Sequence, residues 1–497
     1  MARLVERGGA EGSRGRVRGS YYALSMTIDP DLRAFLQSFQ KIQHYAQESI
    51  SLDQGDALND ALSEHLGVPA AKQAVVTRNI AAYRFADFDV ALEKLAGPDA
   101  EVIGIGGGDQ RQHMSFADMI GNPWAKLPVG QVDWKNTPIG PSSTRRIIQL
   151  GIRLFRYQGQ PVAVFQRGPS QMDPQTGNVE VLSGDPDLSN QLIDELQDLS
   201  VTHSVLRGNI ISLQLTGYDG EGEGYRFVPR PEIAADDVIL PDGTLDRIVA
   251  HIAGIAEHRD VLTRYGQHLK RGILLYGPPG TGKTHTVRHL LSITPEHTVI
   301  LLSGRTLELV GQATSIAKKL EPSIVVLEDC DLVAMDRGLM GESNPLLFEV
   351  LDALDGLEPV SDVAFLLTTN RVDVLENALT QRPGRIDLAA EIPRPDKAGR
   401  RRLLELYAEG IGFSKTMLDE IAADSNAQTA SFFKELIRRA VLLAAGESVE
   451  PSDAHLRAAL DELLGDNAAL NANLFGRGAV HDDGPVGFGF DDSGELN

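Results

Sequence analysis

The sequence has little cysteine, few basic residues relative to acidic ones, and no long apolar stretch. Cys330 is the 1 cysteine among 497 residues, which excludes an internal disulfide and a metal site built from cysteines alone. Lys and Arg number 47 against 69 Asp and Glu, and the net charge of −22 argues against nucleic acid or an anionic membrane as the main partner. Apolar stretches such as Ser323–Leu327 and Val363–Leu367 are far shorter than the ~20 residues of a membrane-spanning helix. We therefore expect a cytoplasmic protein that does not insert into a membrane.

The composition that remains is that of a globular protein, with 42% hydrophobic and 23% charged residues. At roughly 150 residues per domain, the length predicts about three folding units. The first 22 residues lack the apolar core of a secretory signal. Either Met1 or Met26, which lies just before the helix-like Asp29–Glu48, can be the initiator.

The distribution of apolar, glycine and proline residues predicts a series of segments along the chain. We expect a disordered start (1–24), a helical N-terminal region (25–100), a Gly/Pro-rich linker (101–145), a β-rich domain (146–235), an α/β core (236–395), a helical lid (396–465) and an acidic disordered tail (466–497). Within this plan, apolar residues at helical spacing predict a helix over Asp29–Glu48. Short apolar runs predict strands that include Ile147–Tyr157, Asn209–Leu215 and Tyr225–Val228.

The strongest motif has the form G-x-x-x-x-G-K-[ST] between a strand-like Gly272–Tyr276 and a helix-like Thr286–Ser292. Its residues are Gly277, Pro278, Pro279, Gly280, Thr281, Gly282, Lys283 and Thr284. Glycines let backbone N–H groups converge on phosphate oxygens at a helix N-terminus. In such a loop the lysine reaches the β- and γ-phosphates and the Ser/Thr hydroxyl binds Mg²⁺. The motif predicts ATP and Mg²⁺ as cofactors, with His285 completing the predicted nucleotide-binding set.

A buried strand that ends in two carboxylates follows about forty residues later. Ser323–Leu327 is apolar, and Glu328 and Asp329 come directly after it. A strand that delivers acids at its carboxyl end suits the binding of Mg²⁺ and the activation of water for phosphoryl transfer.

With these elements the sequence resembles the AAA family of ATPases over about residues 240–445. The resemblance also includes Leu354-Asp355-Gly356, Thr368-Thr369-Asn370-Arg371 and the run Ala378–Asp387. It implies a P-loop core with a parallel sheet flanked by helices and a C-terminal helical lid. It further implies that Asn370 orients the attacking water and that Arg382 and Arg385 are arginine fingers reaching the neighbouring subunit of a ring, most often a homo-hexamer.

The chain departs from the family pattern in two places. The acidic order Glu328-Asp329 inverts the usual Asp-Glu and is similar to the mitochondrial Rieske-translocase branch, although this chain shows no membrane anchor. If the register holds, Glu328 binds Mg²⁺ with Thr284, and Asp329 positions water; the inversion leaves both assignments open. The expected pore loop has Leu309 where unfoldases usually carry an aromatic residue, which makes substrate threading less secure than ATP hydrolysis.

Other chemistry-bearing residues give weaker signals. His285 and His289 have a spacing that could bind metal, but no third ligand follows, so the flank of a helix is the favoured interpretation. The sequence contains no His-Glu-x-x-His motif. We favour a buried small residue over a redox switch for Cys330.

Two functions of different classes remain open. The first is an ATPase that remodels a protein partner, engaged through the N-terminal region or the pore. The second is a nucleotide-switched scaffold with slow hydrolysis. A nucleic-acid motor is disfavoured by the charge.

Overall fold

The computed structural model describes residues 31, 34–42, 57–121, 127–170, 173–215, 224–331, 352–353, 356, 358, 360–371 and 386–475. Two sheets of seven strands, each joining β-strands from distant parts of the chain, organise these residues. The described part of the predicted helix Asp29–Glu48 is helical. The mixed α/β class expected from the sequence is confirmed.

The first sheet is antiparallel and has the order β1-β7-β6-β5-β2-β3, with β4 paired to β5. Its strands are β1 (Val75–Ala81), β2 (Glu101–Ile105), β3 (Val129–Gly130), β4 (Asp133–Pro138), β5 (Thr144–Tyr157), β6 (Gln160–Arg167) and β7 (Thr176–Ser183). Successive side chains of a strand point to opposite faces, so Leu154 and the adjacent Phe155 lie in different hydrophobic cores.

Helices cover both faces of this sheet. Phe85–Ala96 and Pro186–Thr202 pack on one face, and Leu58–Leu66 and Phe116–Gly121 pack on the other. Asp185 caps Pro186–Thr202 by accepting a hydrogen bond from the Asp187 amide, and a proline at the first helical position suits this start.

The structure corrects the predicted helical region 25–100 and linker 101–145, because β1 lies in the first and β2 to β4 lie in the second. The glycines that suggested a linker instead allow two strands to approach closely. Gly104 pairs with Gly130, and a Cβ on Gly104 would lie 1.9 Å from the carbonyl carbon of Gln131. Here glycine marks close backbone contact within a sheet.

The second sheet has the order β14-β10-β13-β12-β11-β8-β9 and is parallel except for the edge strand β9. Its strands are β8 (Ile210–Leu213), β9 (Tyr225–Val228), β10 (Arg271–Tyr276), β11 (Thr298–Ser303), β12 (Ser323–Glu328), β13 (Val363–Thr369) and β14 (Leu388–Glu391). The predicted strands over Asn209–Leu215 and Tyr225–Val228 are confirmed, but they do not belong to the β-rich domain predicted for 146–235. β8 pairs with β11 because Ile210 and Ile211 are buried on opposite faces of the second sheet.

Helices Thr244–Glu257 and Lys283–Ser292 cover one face of the second sheet, and Val310–Lys319 covers the other. A short helix, Arg259–Arg264, follows the first of these. One-turn 3₁₀ segments occur at Ala70–Lys72, Ala82–Arg84, Asp109–Gln112, Ala235–Asp237 and Gly304–Leu309.

Four helices follow β14 and share their own hydrophobic core. They are Lys397–Tyr407, Lys415–Asp424, Ala430–Gly446 and Asp453–Phe475. The last helix runs ten residues past 465, so the predicted tail 466–497 begins too early; Ala and Leu favour helix over this stretch. Among the residues described here, no helix is both long enough and apolar enough to cross a bilayer.

The segment that connects the two sheets is held by a buried carboxylate. Asp87, on helix Phe85–Ala96, accepts hydrogen bonds from the Ser204 hydroxyl (2.9 Å) and the Val205 amide (2.8 Å). The Val205 side chain packs against a core on each sheet, which joins the two halves through this connector.

Candidate functional site: a phosphate loop at the carboxyl edge of the parallel sheet

The motif Gly277–Thr284 forms the loop between β10 and helix Lys283–Ser292, which confirms the expected strand–loop–helix order. Gly277 has φ of 147°, and a Cβ there would lie 2.2 Å from the carbonyl oxygen of Ile392. Gly282, with φ of 111°, begins the helix. These positions need glycine because side chains disfavour such backbone conformations.

Lys283 is buried and directs its ammonium group into the loop. Its Nζ donates to the carbonyl oxygens of Gly277 and Pro278 (2.9 Å each) and to Oδ1 of Asn370 (2.8 Å). Burial lowers the pKa of Lys283, while Asp329 and Asp331 oppose that shift. The hydroxyl of Thr281 tightens the loop by donating to the Pro278 carbonyl (2.9 Å).

Glu328 ends β12 beside the phosphate loop. Burial raises the pKa of Glu328, and the neighbouring charge of Asp329 raises it further, while the nearby Thr284 hydroxyl lowers it. The two residues predicted to bind Mg²⁺, Thr284 and Glu328, are therefore neighbours in the structure.

Asp329 has a backbone conformation unusual for a non-glycine residue, with φ of +52°. Its amide donates to the Thr368 hydroxyl (3.0 Å), which ties it to β13. Its Oδ1 lies 3.5 Å from Nδ2 of Asn370. Glu328 and Asp329 thus face different partners although they are adjacent in the chain.

Asn370, directly after β13, joins the lysine and the acids. Its Oδ1 accepts from Lys283, and its Nδ2 lies 3.4 Å from Oδ2 of Asp331. Sequence reasoning missed Asp331, although a third acid two positions after Asp329 was a readable signal. Cys330, between these two acids, is buried as expected, and burial raises the pKa of its thiol to about 12.

Lys283, Asp329 and Asn370 line a cavity of about 410 Å³ that reaches the helical lid. From the lid, Tyr407, Ser431 and Lys434 line it. The Ser431 amide donates to the Gly280 carbonyl (3.1 Å), so the lid contacts the phosphate loop directly. No local sequence pattern announces this contact, because the two residues come together only in the folded chain.

A second cavity of about 280 Å³ shares the lining residue Ala430 with the first. Its walls come from Ile239–Asp242, between β9 and helix Thr244–Glu257, and from Pro393–Asp396 after β14. Charged residues such as Asp242 and Arg402 also line it, and the apolar side chains of Ile239 and Leu240 offer a surface that suits a flat ring better than a phosphate group.

The two histidines bind backbone carbonyls of the segment between β9 and helix Thr244–Glu257. Nε2 of His285 donates to the Asp237 carbonyl (3.2 Å), and Nδ1 of His289 donates to the Ile233 carbonyl (2.8 Å). Within the described part of the chain, no group of three or more His, Cys, Asp or Glu residues could hold a metal. Both histidines lie on helix Lys283–Ser292 with a ring nitrogen bound to a backbone carbonyl, and His285 also lines the larger cavity.

Several predicted residues lie outside this site or outside the described part of the chain. Arg382, Arg385, Leu354 and Asp355 fall outside the described residues. Leu309 ends the 3₁₀ segment Gly304–Leu309 and lines a separate cavity with Tyr83, which lies in the 3₁₀ segment Ala82–Arg84 after β1.

The family model described as "ATPase family associated with various cellular activities (AAA)" matches residues 273–394. This range runs from β10 through the phosphate loop and the acidic strand to the residues after β14. This part of the chain, called the AAA domain below, is similar to the AAA family of ATPases. The AAA domain thus contains every described side chain that meets around Lys283, apart from those of the lid.

Three curated proteins are similar to part of this chain. The "ATP-dependent zinc metalloprotease FtsH 2" of Sphaerobacter thermophilus is 34% identical over 256 residues, covering 49% of this chain and 39% of that protein. The "Proteasome-activating nucleotidase" of Methanoregula boonei is 30% identical over 227 residues, covering 43% and 52%. The "26S protease regulatory subunit 6A" of Caenorhabditis elegans is 30% identical over 220 residues, covering 41% and 51%.

The chain spans about half the length of the curated relatives that it matches. The likeness of the Glu328-Asp329 order to the Rieske-translocase branch stays a prediction.

Proposed function

We propose that this chain binds and hydrolyses ATP at the cavity around Lys283. The observation that carries the proposal is the meeting of three elements at one edge of the sheet. These are the phosphate loop, the acids at the end of β12 and Asn370 at the end of β13. Ligands of parallel α/β sheets bind at the carboxyl ends of the strands, which is where these groups lie.

The triphosphate and the adenine ring of the nucleotide would lie in different cavities. The triphosphate occupies the larger one, where backbone N–H groups of the loop and Lys283 supply positive charge. The adenine ring enters the second cavity beside the apolar side chains of Ile239 and Leu240. Ser431 and Lys434 extend the site into the lid, so nucleotide binding would link the lid to the AAA core.

Mg²⁺ fits the oxygen donors of Thr284 and Glu328, because hard cations prefer hydroxyl and carboxylate ligands. When bound, the ion would neutralise charge on the β- and γ-phosphates. Glu328 would hold it as a carboxylate, which requires loss of the proton that burial favours.

Asp329 and Asn370 would position the attacking water. The water oxygen forms a bond to the γ-phosphorus, the bond from that phosphorus to the bridging oxygen breaks, and the water proton passes to the Asp329 carboxylate. ADP and phosphate are the products. Asp329 has a φ of +52°, a strained backbone conformation of the kind that occurs at active sites. This conformation would redirect its side chain, which is shorter than that of glutamate.

The active form would be a ring, most often a hexamer in this family. Arg382 and Arg385 would act on the site of the adjacent subunit, since a planar guanidinium can contact developing γ-phosphate charge at two points. Ring assembly and both arginine roles are proposals carried by the resemblance.

The ring would remodel a protein partner in the cytoplasm. The names of the relatives link them to proteins, as a metalloprotease, a proteasome-activating nucleotidase and a protease regulatory subunit. In this chain the first sheet and its helices precede the AAA domain, and they are our candidate for the partner-binding region together with the pore.

ATP hydrolysis by purified protein tests the activity, with Lys283→Ala as the decisive variant. Loss of a charge-assisted hydrogen bond of ~1.5–3 kcal/mol predicts ATP binding weaker by at least about 10-fold. Lys415→Ala removes an exposed lid lysine and is the matched control. An ATP dissociation constant for Lys283→Ala within a few-fold of the wild type would reject the proposed site.

The alternative is a nucleotide-switched scaffold with slow hydrolysis. It is favoured by one observation, the shorter Asp329 at the position proposed to activate water. Partner capture that depends on the bound nucleotide, without turnover stimulated by that partner, would support the scaffold. Partner-stimulated turnover accompanied by a change in the partner's fold or assembly would support remodelling.

A further inference from the structure

Asp331 is a buried carboxylate that binds the main chain and the side chain of Asn370. It is 6% exposed. Its Oδ1 accepts from the backbone N–H of Asn370 (3.0 Å) and from the Thr369 hydroxyl (3.2 Å). Its Oδ2 lies 3.4 Å from Nδ2 of Asn370. The acid therefore holds both the backbone and the side chain of Asn370.

The chemistry of the two groups determines which way the Asn370 amide points. An ionised carboxylate only accepts hydrogen bonds, whereas an amide side chain has one donating and one accepting end. Asp331 and Asp329 therefore both favour the NH₂ end, which lies 3.4 Å and 3.5 Å from their carboxylates. The carbonyl end is left for Lys283, whose Nζ donates to it across 2.8 Å. The reversed amide would set oxygen against oxygen at Asp331 and N–H against N–H at Lys283.

We propose that Asp331 is a positioning residue that fixes the orientation of Asn370 for the reaction. The inference rests on the proposed ATP hydrolysis and extends it to a residue without a role there. The carbonyl end that accepts from Lys283 is also the end that can accept an O–H from an attacking water. Asp331 would thus act through Asn370, without touching the nucleotide.

The competing explanation is that Asp331 merely stabilises the fold. A buried carboxylate without such a role is available for comparison in the same sheet. Asp362 is 2% exposed, lies at the amino edge beside β13 and accepts from Nη1 of Arg271 (2.7 Å). Glu180 of the first sheet, which accepts from the Phe116 amide (3.1 Å), is a second comparison.

The test replaces Asp331 by the isosteric Asn and separates turnover from binding. We expect kcat to fall about 10- to 100-fold, as is typical when a supporting partner of an active-site group is lost. We expect ATP affinity to stay within about 3-fold, because Lys283 and the loop are unchanged. Asp362→Asn and Glu180→Gln should keep kcat while lowering the unfolding temperature. Asp331→Ser is the second variant if Asp331→Asn does not fold.

A double-mutant cycle decides whether the effect passes through Asn370. In an Asn370→Ala background, Asp331→Asn should change kcat less than about 2-fold. Equal losses from Asp331→Asn in both backgrounds, or unchanged kcat in the single variant, would overturn the inference. Hydrolysis by the wild type and its loss in Lys283→Ala report separately on the proposed function.

A crystal structure of the Asp331→Asn protein adds a readout that does not depend on turnover. We expect the Asn370 side chain to turn away from Lys283, so that the contact to Nζ is lost. An unchanged Asn370 with that contact intact would contradict the positioning role even if the protein proved not to hydrolyse ATP.

Discussion

The Thr284 hydroxyl favours the charged form of the neighbouring Glu328 carboxylate, while Oδ1 of the next residue, Asp329, lies 3.5 Å from Nδ2 of Asn370. Two acids that are adjacent in sequence therefore have different neighbours. The backbone of Asp329, with φ of +52°, separates the directions of the two side chains. This division matches the inverted assignment proposed for them.

Separate substitution of the two acids should give different defects. Glu328→Gln removes a charge beside Thr284, so the Mg²⁺ concentration needed for half-maximal hydrolysis should rise. Asp329→Asn should mainly lower kcat, by about 10²–10⁴-fold for a lost general base. Titration of Mg²⁺ and ATP in initial-rate assays measures both effects. Glu391→Gln, an exposed acid at the end of β14, is the control, and normal turnover by both test variants would remove β12 from the active site.

The free energy of unfolding should depend on pH through Asp87, which holds the segment that connects the two sheets. Burial raises its pKa from 3.8 to about 6, against hydrogen bonds from Val205 and Ser204 and the charge of Arg84. Because the pKa of Asp87 is higher in the folded than in the unfolded state, its protonated form contributes to the free energy of unfolding. This contribution is fully present below pH 3.8 and is lost as the pH rises through about 6.

Asp87→Asn should abolish this pH dependence. Relative to the variant, the wild type should lose about 1 kcal/mol of unfolding free energy between about pH 5 and about pH 7.5. Urea unfolding at both pH values measures the difference, and Asp99→Asn, an exposed loop acid, is the control. A difference between wild type and Asp87→Asn that is constant with pH would contradict the expected shift.

Assembly can be tested through the proposed arginine fingers. An arginine finger is typically worth ~10³–10⁵ in kcat, so Arg385→Ala should nearly abolish hydrolysis while leaving ATP affinity almost intact. Mixing it with Lys283→Ala protein, whose fingers are intact, should restore part of the activity in mixed rings. Full activity of the wild type as a dilute monomer, together with an active Arg385→Ala, would refute action between subunits.

Substrate handling can be tested at Leu309. If the ring threads its partner, Leu309→Ala should reduce remodelling while basal ATP hydrolysis persists, because Leu309 lies outside the nucleotide cavity. Release of the partner from its complex, measured beside phosphate production, reports both activities. Unchanged remodelling would instead direct attention to the first sheet and its helices.

The sequence by itself predicted the elements whose residues are close together in the chain. β10, the phosphate loop and the start of helix Lys283–Ser292 are consecutive, and glycine at Gly277 and Gly282 meets a local backbone requirement. β12 with Glu328 and Asp329 was readable for the same reason. Short-range steric and hydrogen-bonding preferences are sufficient to specify such units.

Only the tertiary structure decided which distant residues meet. Asp331 binds Asn370 across 39 positions, and Ser431 contacts Gly280 across 151. β8 and β9 joined the parallel sheet, and the glycine-rich segment near Gly104 became part of the antiparallel one. These outcomes depend on burying apolar faces and on pairing the polar groups buried with them. Both conditions are met by contacts among segments far apart in sequence, so no local pattern could specify them.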